Sequence, residues 1–149
     1  MDLLACAVAT SVPVDDASVD EVAGVLGQVA RLRRLVDAVE ISCLSRLEEL
    51  AAVDPAVNPE HVHAAASRRS VRACTRASQR AKAAVGLPVL SGLIGDGLVS
   101  GEHLDAFARA VRSLPEALRP SLVALEGSLA LVAVSLTVEE FADRLAVEV

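Results

Sequence analysis

A chain of 149 residues with 53% apolar residues is one domain by length and can enclose a core, and its net charge of −6 sets an acidic background. It has no Trp or Tyr and only Phe107 and Phe141, which leaves a core of Ala, Val and Leu built by close approach of helices rather than around large anchors. Cys6, Cys43 and Cys74 are odd in number, widely spaced and without a C-x-x-C, which argues against a disulfide framework or a zinc ribbon and for a reducing, cytoplasmic compartment.

Residues 1–17 read as a flexible leader, and Asp2 with no basic residue before Val12 argues against a signal peptide. Residues 18–149 read as one all-α domain, a multi-helix bundle with a long N-terminal helix. Ser18-Val19-Asp20-Glu21 forms a capping box, in which the serine hydroxyl and the Glu21 carboxylate satisfy orphan amides at a helix start. Beyond it Val22, Val25, Val29, Leu32, Val36, Val39 and Cys43 alternate in steps of three and four, a 3.5-residue repeat interrupted at Arg46. A helix from about Ser18 to Val53 would run about 54 Å, so part of it must lie across other helices or against another chain.

Asp54-Pro55 and Asn58-Pro59 break that helix, and Pro59 suits the first position of a short helix to Ala66. A second helix is expected from near Ser67 and ending before Gly86, followed by a short one over Val89–Ile94 closed by Gly95-Asp96-Gly97. Ser100 caps the next, with Glu102 placed to meet its N-terminal dipole and Leu104, Phe107, Ala108 and Val111 inward until Leu114-Pro115. A helix from Arg119 or Pro120 to Val134 and a last one opened by Thr137-Val138-Glu139-Glu140 bring the expected number to six or seven. The most apolar stretch, Gly127–Val138, lies between Glu126 and Glu139 and is too short for the roughly 20 residues of a membrane span, so it is expected to be a buried core helix.

Between Glu60 and Asp96 there is no acidic residue, and this stretch carries Arg68, Arg69, Arg72, Arg76, Arg80 and Lys82. On a helix, Arg72, Arg76 and Arg80 follow Arg68 at about 40°, 80° and 120°, a basic ridge opposite an apolar face of Val71, Cys74, Ser78, Ala81 and Val85. Three like-charge i, i+4 pairs disfavour an isolated helix by about 0.2–0.5 kcal/mol each, so something should offset them. A nucleic-acid backbone would do so, and these six cations are the candidate nucleic-acid-binding residues. Asp37, Glu40, Glu48, Glu49 and Asp54 on the long helix would do so internally. Both readings stand at this level. The arginines have no interleaved aromatics, so stacking on single-stranded bases is not supported.

Three segments, in this order, resemble a known family. Ser67–Ala81 resembles its arginine-rich helix, Gly97–Pro115 its glycine, apolar, serine and histidine-bearing helix ending in Leu-Pro, and Ser135–Leu145 the short helix that follows. The family is the actinobacterial domain of unknown function numbered 222, usually found N-terminal to an HNH endonuclease module, and the resemblance spans roughly residues 18 to 149. It implies a helical accessory domain associated with such nucleases, in which the arginine ridge would be the part that contacts DNA. The HNH module itself needs paired histidines, an asparagine and often zinc knuckles; here Asn58 is the only asparagine and no C-x-x-C exists.

No catalytic residue, metal site or cofactor is expected. His61 and His63 have no third ligand nearby, His103 sits in a capped first turn, and Gly92, Gly95 and Gly97 do not complete a phosphate-binding fingerprint. The competing expectation is an interaction or oligomerisation scaffold, in which Val22, Val25, Val29, Leu32, Val36 and Val39 bind a partner helix or an HNH module.

Overall fold

The computed structural model describes residues 16–148, so all but the end of the leader expected over residues 1–17 falls outside the described residues. Among these, every regular element is helical: α1 (Val19–Val53), α2 (Pro59–Ser67), α3 (Val71–Val85), α4 (Pro88–Gly95), α5 (Gly101–Ser113), α6 (Arg119–Ala124), α7 (Glu126–Ala133) and α8 (Val138–Glu148), with a 3-10 turn over Glu116–Leu118. The fold is the all-α bundle with a long first helix. No described helix is long and apolar enough to cross a membrane.

Local chemistry sets most boundaries. The Glu21 carboxylate accepts from the Ser18 N–H at 2.8 Å, and the Ser18 hydroxyl accepts from the Glu21 N–H at 3.4 Å. Asn58 Oδ1 accepts from the His61 N–H at 2.8 Å just before Pro59 opens α2. The Thr137 and Glu140 pair repeats the box at α8, with the Glu140 carboxylate accepting from the Thr137 N–H at 2.8 Å. Gly97 takes φ 71, the left-handed turn that ends α4 and that a side chain would strain. At α5 the cap partner of Ser100 is His103, and Glu102 stands in the same first turn. His103 Nδ1 accepts from the Ser100 N–H at 3.3 Å and from its hydroxyl at 2.9 Å, while Nε2–H donates to the Leu136 carbonyl at 3.1 Å. The ring thereby ties α5 to the turn before α8, and those partners assign the proton to Nε2.

Two packing layers follow. Phe107 of α5 and Phe141 of α8 are fully buried among Leu90, Ile94, Leu104 and Leu145, and each aromatic contributes about 2–3 kcal/mol by leaving water. A second layer joins Leu44 of α1 to Ala77 and Ala81 of α3, small residues that let the two helices lie close.

Four expectations change. The described residues form eight helices rather than six or seven, because residues 119–134 break at Leu125 and Glu126 opens a new helix. Gly127–Val138 is therefore not one buried helix: Leu129, Ala130 and Ala133 are buried, Leu131 is exposed, and the chain turns before Val138. The arginine helix starts at Val71 rather than near Ser67, because Ser70 is its cap, accepting from the Ala73 N–H at 3.3 Å. Val71 and Val85 are then exposed, and the inner face is Cys74, Ala77, Ser78, Ala81 and Ala84. Finally, α1 packs through Ile41 and Leu44 rather than through the 3.5-residue seam. Val36 and Val39 are 64% and 51% exposed. Val36 lies about 140° around the helix from Ile41, as Val39 does from Leu44, so in this half of α1 the seam looks away from the bundle.

Candidate nucleic-acid interface

The six cations expected to form one basic surface divide into distinct environments. Arg68 is not on α3: it closes α2 in the left-handed region at φ 56, ψ 28, and Arg69 lies in the link to Ser70. The four-step ridge is thus a three-step one, Arg72, Arg76 and Arg80.

Three cations meet carboxylates of α1, the internal offset that its sequence allowed. Arg69 Nη1 donates to Glu40 Oε1 at 2.6 Å, and the same oxygen lies 3.2 Å from His63 Nε2. Lys82 Nζ lies 3.2 Å from Glu48 Oε1. Arg80 is the most enclosed, with 18% of its side chain exposed. It donates from Nε to Asp105 Oδ1 at 3.0 Å, from Nη2 to Asp105 Oδ2 at 2.6 Å and from Nη1 to Asp37 Oδ1 at 3.3 Å. Hydrogen bonding to Asp105 raises its pKa above the usual arginine value; burial opposes this, and the charges of Asp105, Asp37 and Glu40 add to the rise. Asp37 Oδ2 also accepts from the Gly101 N–H at 2.9 Å, so one carboxylate joins α1, α3 and the start of α5. A Cβ at Gly101 would lie 2.8 Å from Arg80 Cζ, so only glycine admits the guanidinium there without displacement. Of the other expected counter-charges, Glu49 of α1 pairs with Arg46, and Asp54, the residue after α1, accepts from the Ala56 N–H.

Arg72 and Arg76 form no ion pair among the described residues, nor do Arg109 and Arg112 of α5. All four are exposed. Arg76, Arg109 and Arg112 converge on a cleft of 140 Å³ between α3 and α5, floored by Ala83 and Ala108 and by the Arg80–Asp105 pair. A wider hollow of 480 Å³ adjoins it, where Arg69, Arg76 and Arg109 face Glu40, Glu102 and Glu139. The charge is balanced in the hollow and positive in the cleft. Guanidinium groups so placed can hold an anionic oxygen bidentately from two sides.

Arg109 and Arg112 were not among the six residues, because on the sequence they are only the polar side of α5; what makes them part of this surface is the packing of α5 on α3. The described residues contain no group of three or more His, Cys, Asp or Glu arranged to hold a metal ion. No family model, curated protein or solved structure matches this chain.

Proposed function

We propose that this chain is a helical accessory module that grips the sugar-phosphate backbone of a nucleic-acid duplex through the cleft between α3 and α5. The observation that carries the reading is the convergence of Arg76, Arg109 and Arg112, from two helices, on one cleft whose lining carboxylate, Asp105, is already held by Arg80, in a chain of net charge −6. Unpaired like charges held together by the fold are stabilised by a partner that brings negative charge, and a phosphate backbone supplies it at regular spacing. Arg72 extends the surface one turn along α3. Arg80 serves as a strut beneath it rather than as a contact. Both phenylalanines are buried, which favours backbone contact over base stacking. The resemblance of Ser67–Ala81, Gly97–Pro115 and Ser135–Leu145 to the nuclease-associated domain supports a role beside an HNH-type module.

Fluorescence anisotropy with a labelled duplex at low salt tests this. The triple variant Arg76→Glu/Arg109→Glu/Arg112→Glu is expected to lose affinity by more than about 10-fold, while Arg46→Glu, on α1 and outside the cleft, changes it less than about 2-fold. Equal losses in both would show only a response to net charge.

A further inference from the structure

Ala83, Ala108 and Arg112 line both the cationic cleft and a second space of 220 Å³ beside it, a groove that also takes in Gly86, Leu87, Val111 and Val123. Ala83, Gly86 and Ala108 extend no further than a Cβ, so α3 and α5 leave an apolar strip between them that no large side chain fills. Among the described residues no carboxylate lines this groove, and its charges are Lys82 and Arg112. Arg112 forms no ion pair among the described residues. Lys82 Nζ lies 3.2 Å from Glu48 Oε1, but 58% of the lysine side chain is exposed and an ammonium has three donors, which leaves room for a second acceptor.

Length decides what can occupy such a groove. Ala83 and Gly86 are three residues apart, about 4.5 Å along α3, and Ala108 and Val111 stand equally far apart on α5. An amphipathic helix laid in a groove anchors itself from i to i+7, about 10 Å. The apolar strip is half as long as that, which suits a short aliphatic chain. The cations beside it select an anionic end for that chain.

We propose that this groove binds a short-chain aliphatic carboxylate, with the alkyl chain over Ala83, Gly86 and Ala108 and the carboxylate held by Arg112 and Lys82. Gly86, Leu87, Val111, Val123 and Lys82 lie outside the cationic cleft, so this site stands or falls apart from nucleic-acid binding.

NMR titration of the methyl-labelled protein with butanoate, hexanoate and octanoate tests this. The methyl signals of Ala83, Ala108, Val111 and Val123 are expected to shift, with affinity rising about 4-fold for each CH2 added. Hexanol, the same chain without the charge, is expected to bind at least about 3-fold more weakly than hexanoate, and Arg112→Gln to narrow that difference. Gly86→Leu fills the groove, since a Cβ there meets only the Ala83 carbonyl oxygen, at an ordinary 3.7 Å. It is expected to abolish the shifts without loss of helical signal. No shift at these methyls with octanoate, equal binding of hexanol and hexanoate, or binding unchanged by Gly86→Leu would overturn the proposal.

Discussion

Arg80 and Asp105 meet through two parallel hydrogen bonds, at 3.0 and 2.6 Å, across the seam between α3 and α5. With Asp37 on the far side of the guanidinium, this junction fixes the distance between the helices that form the cationic cleft. The cleft thus depends on a cation most of whose side chain is enclosed.

Removing Arg80 leaves Asp37 and Asp105 facing each other across a mostly enclosed space. Arg80→Ala is expected to destabilise the fold by about 2 kcal/mol in urea unfolding, below the figure for a fully buried pair because Asp105 is partly exposed. Arg76→Ala, on the same helix but unpaired, is expected to stay within about 0.5 kcal/mol. Equal losses at the two positions would contradict the division between strut and surface.

Arg68→Gly tests the start of α3 by sign. In the left-handed region, glycine relieves a strain of about 1–2 kcal/mol while adding unfolded-state entropy, so the variant is expected to be neutral or stabilised by up to about 1 kcal/mol. In the middle of a helix it would destabilise by about 1 kcal/mol. Thermal unfolding distinguishes the two outcomes.

Glu21 and Glu140 are each held below the ordinary glutamate value of 4.5, first by the backbone N–H of Ser18 or Thr137 and then by its hydroxyl, with burial opposing slightly. A carboxylate whose pKa is lower in the folded state contributes stability above its unfolded pKa and loses it as the pH falls through the folded one. Glu21→Gln and Glu140→Gln are therefore expected to lower the thermal midpoint at pH 7 and to converge on the parent as the pH falls below 4.5 and through the lowered folded-state value. An offset that stays constant across that range would contradict the electrostatic origin of the caps.

Much of this fold is legible in the sequence because its boundaries are local. Ser18 with Glu21, Thr137 with Glu140, and Asn58 before Pro59 each state a helix start within four residues. The pairing of α1 carboxylates with the arginine segment is also legible at Asp37, Glu40 and Glu48, where an acid-free stretch must find its counter-charges. The start of α3 is not, since Ser67 and Ser70 can both cap a helix and the choice between them moves Arg68 off the wheel. The inner face of α1 is hidden by a stronger pattern: the valine seam outnumbers Ile41 and Leu44, of which Leu44 packs on Ala77 and Ala81 of α3 while Ile41 joins the larger core with Ala84, Leu87 and Leu90. Glu126 marks the edge of an apolar run in the sequence. In the fold it is buried and accepts the Leu90 N–H at 2.9 Å, an amide of the first turn of α4 that Leu87 cannot cap. Arg109 and Arg112 join the cleft only through tertiary packing, which no periodicity encodes.

The most direct test of the cationic cleft is the salt dependence of duplex affinity. Arg72, Arg76, Arg109 and Arg112 together predict that log K falls against log salt with a slope of about −3 to −4, reduced by about 1 for each arginine replaced. No binding at low salt, or binding whose slope is unchanged when Arg76 and Arg109 become glutamine, would contradict the account.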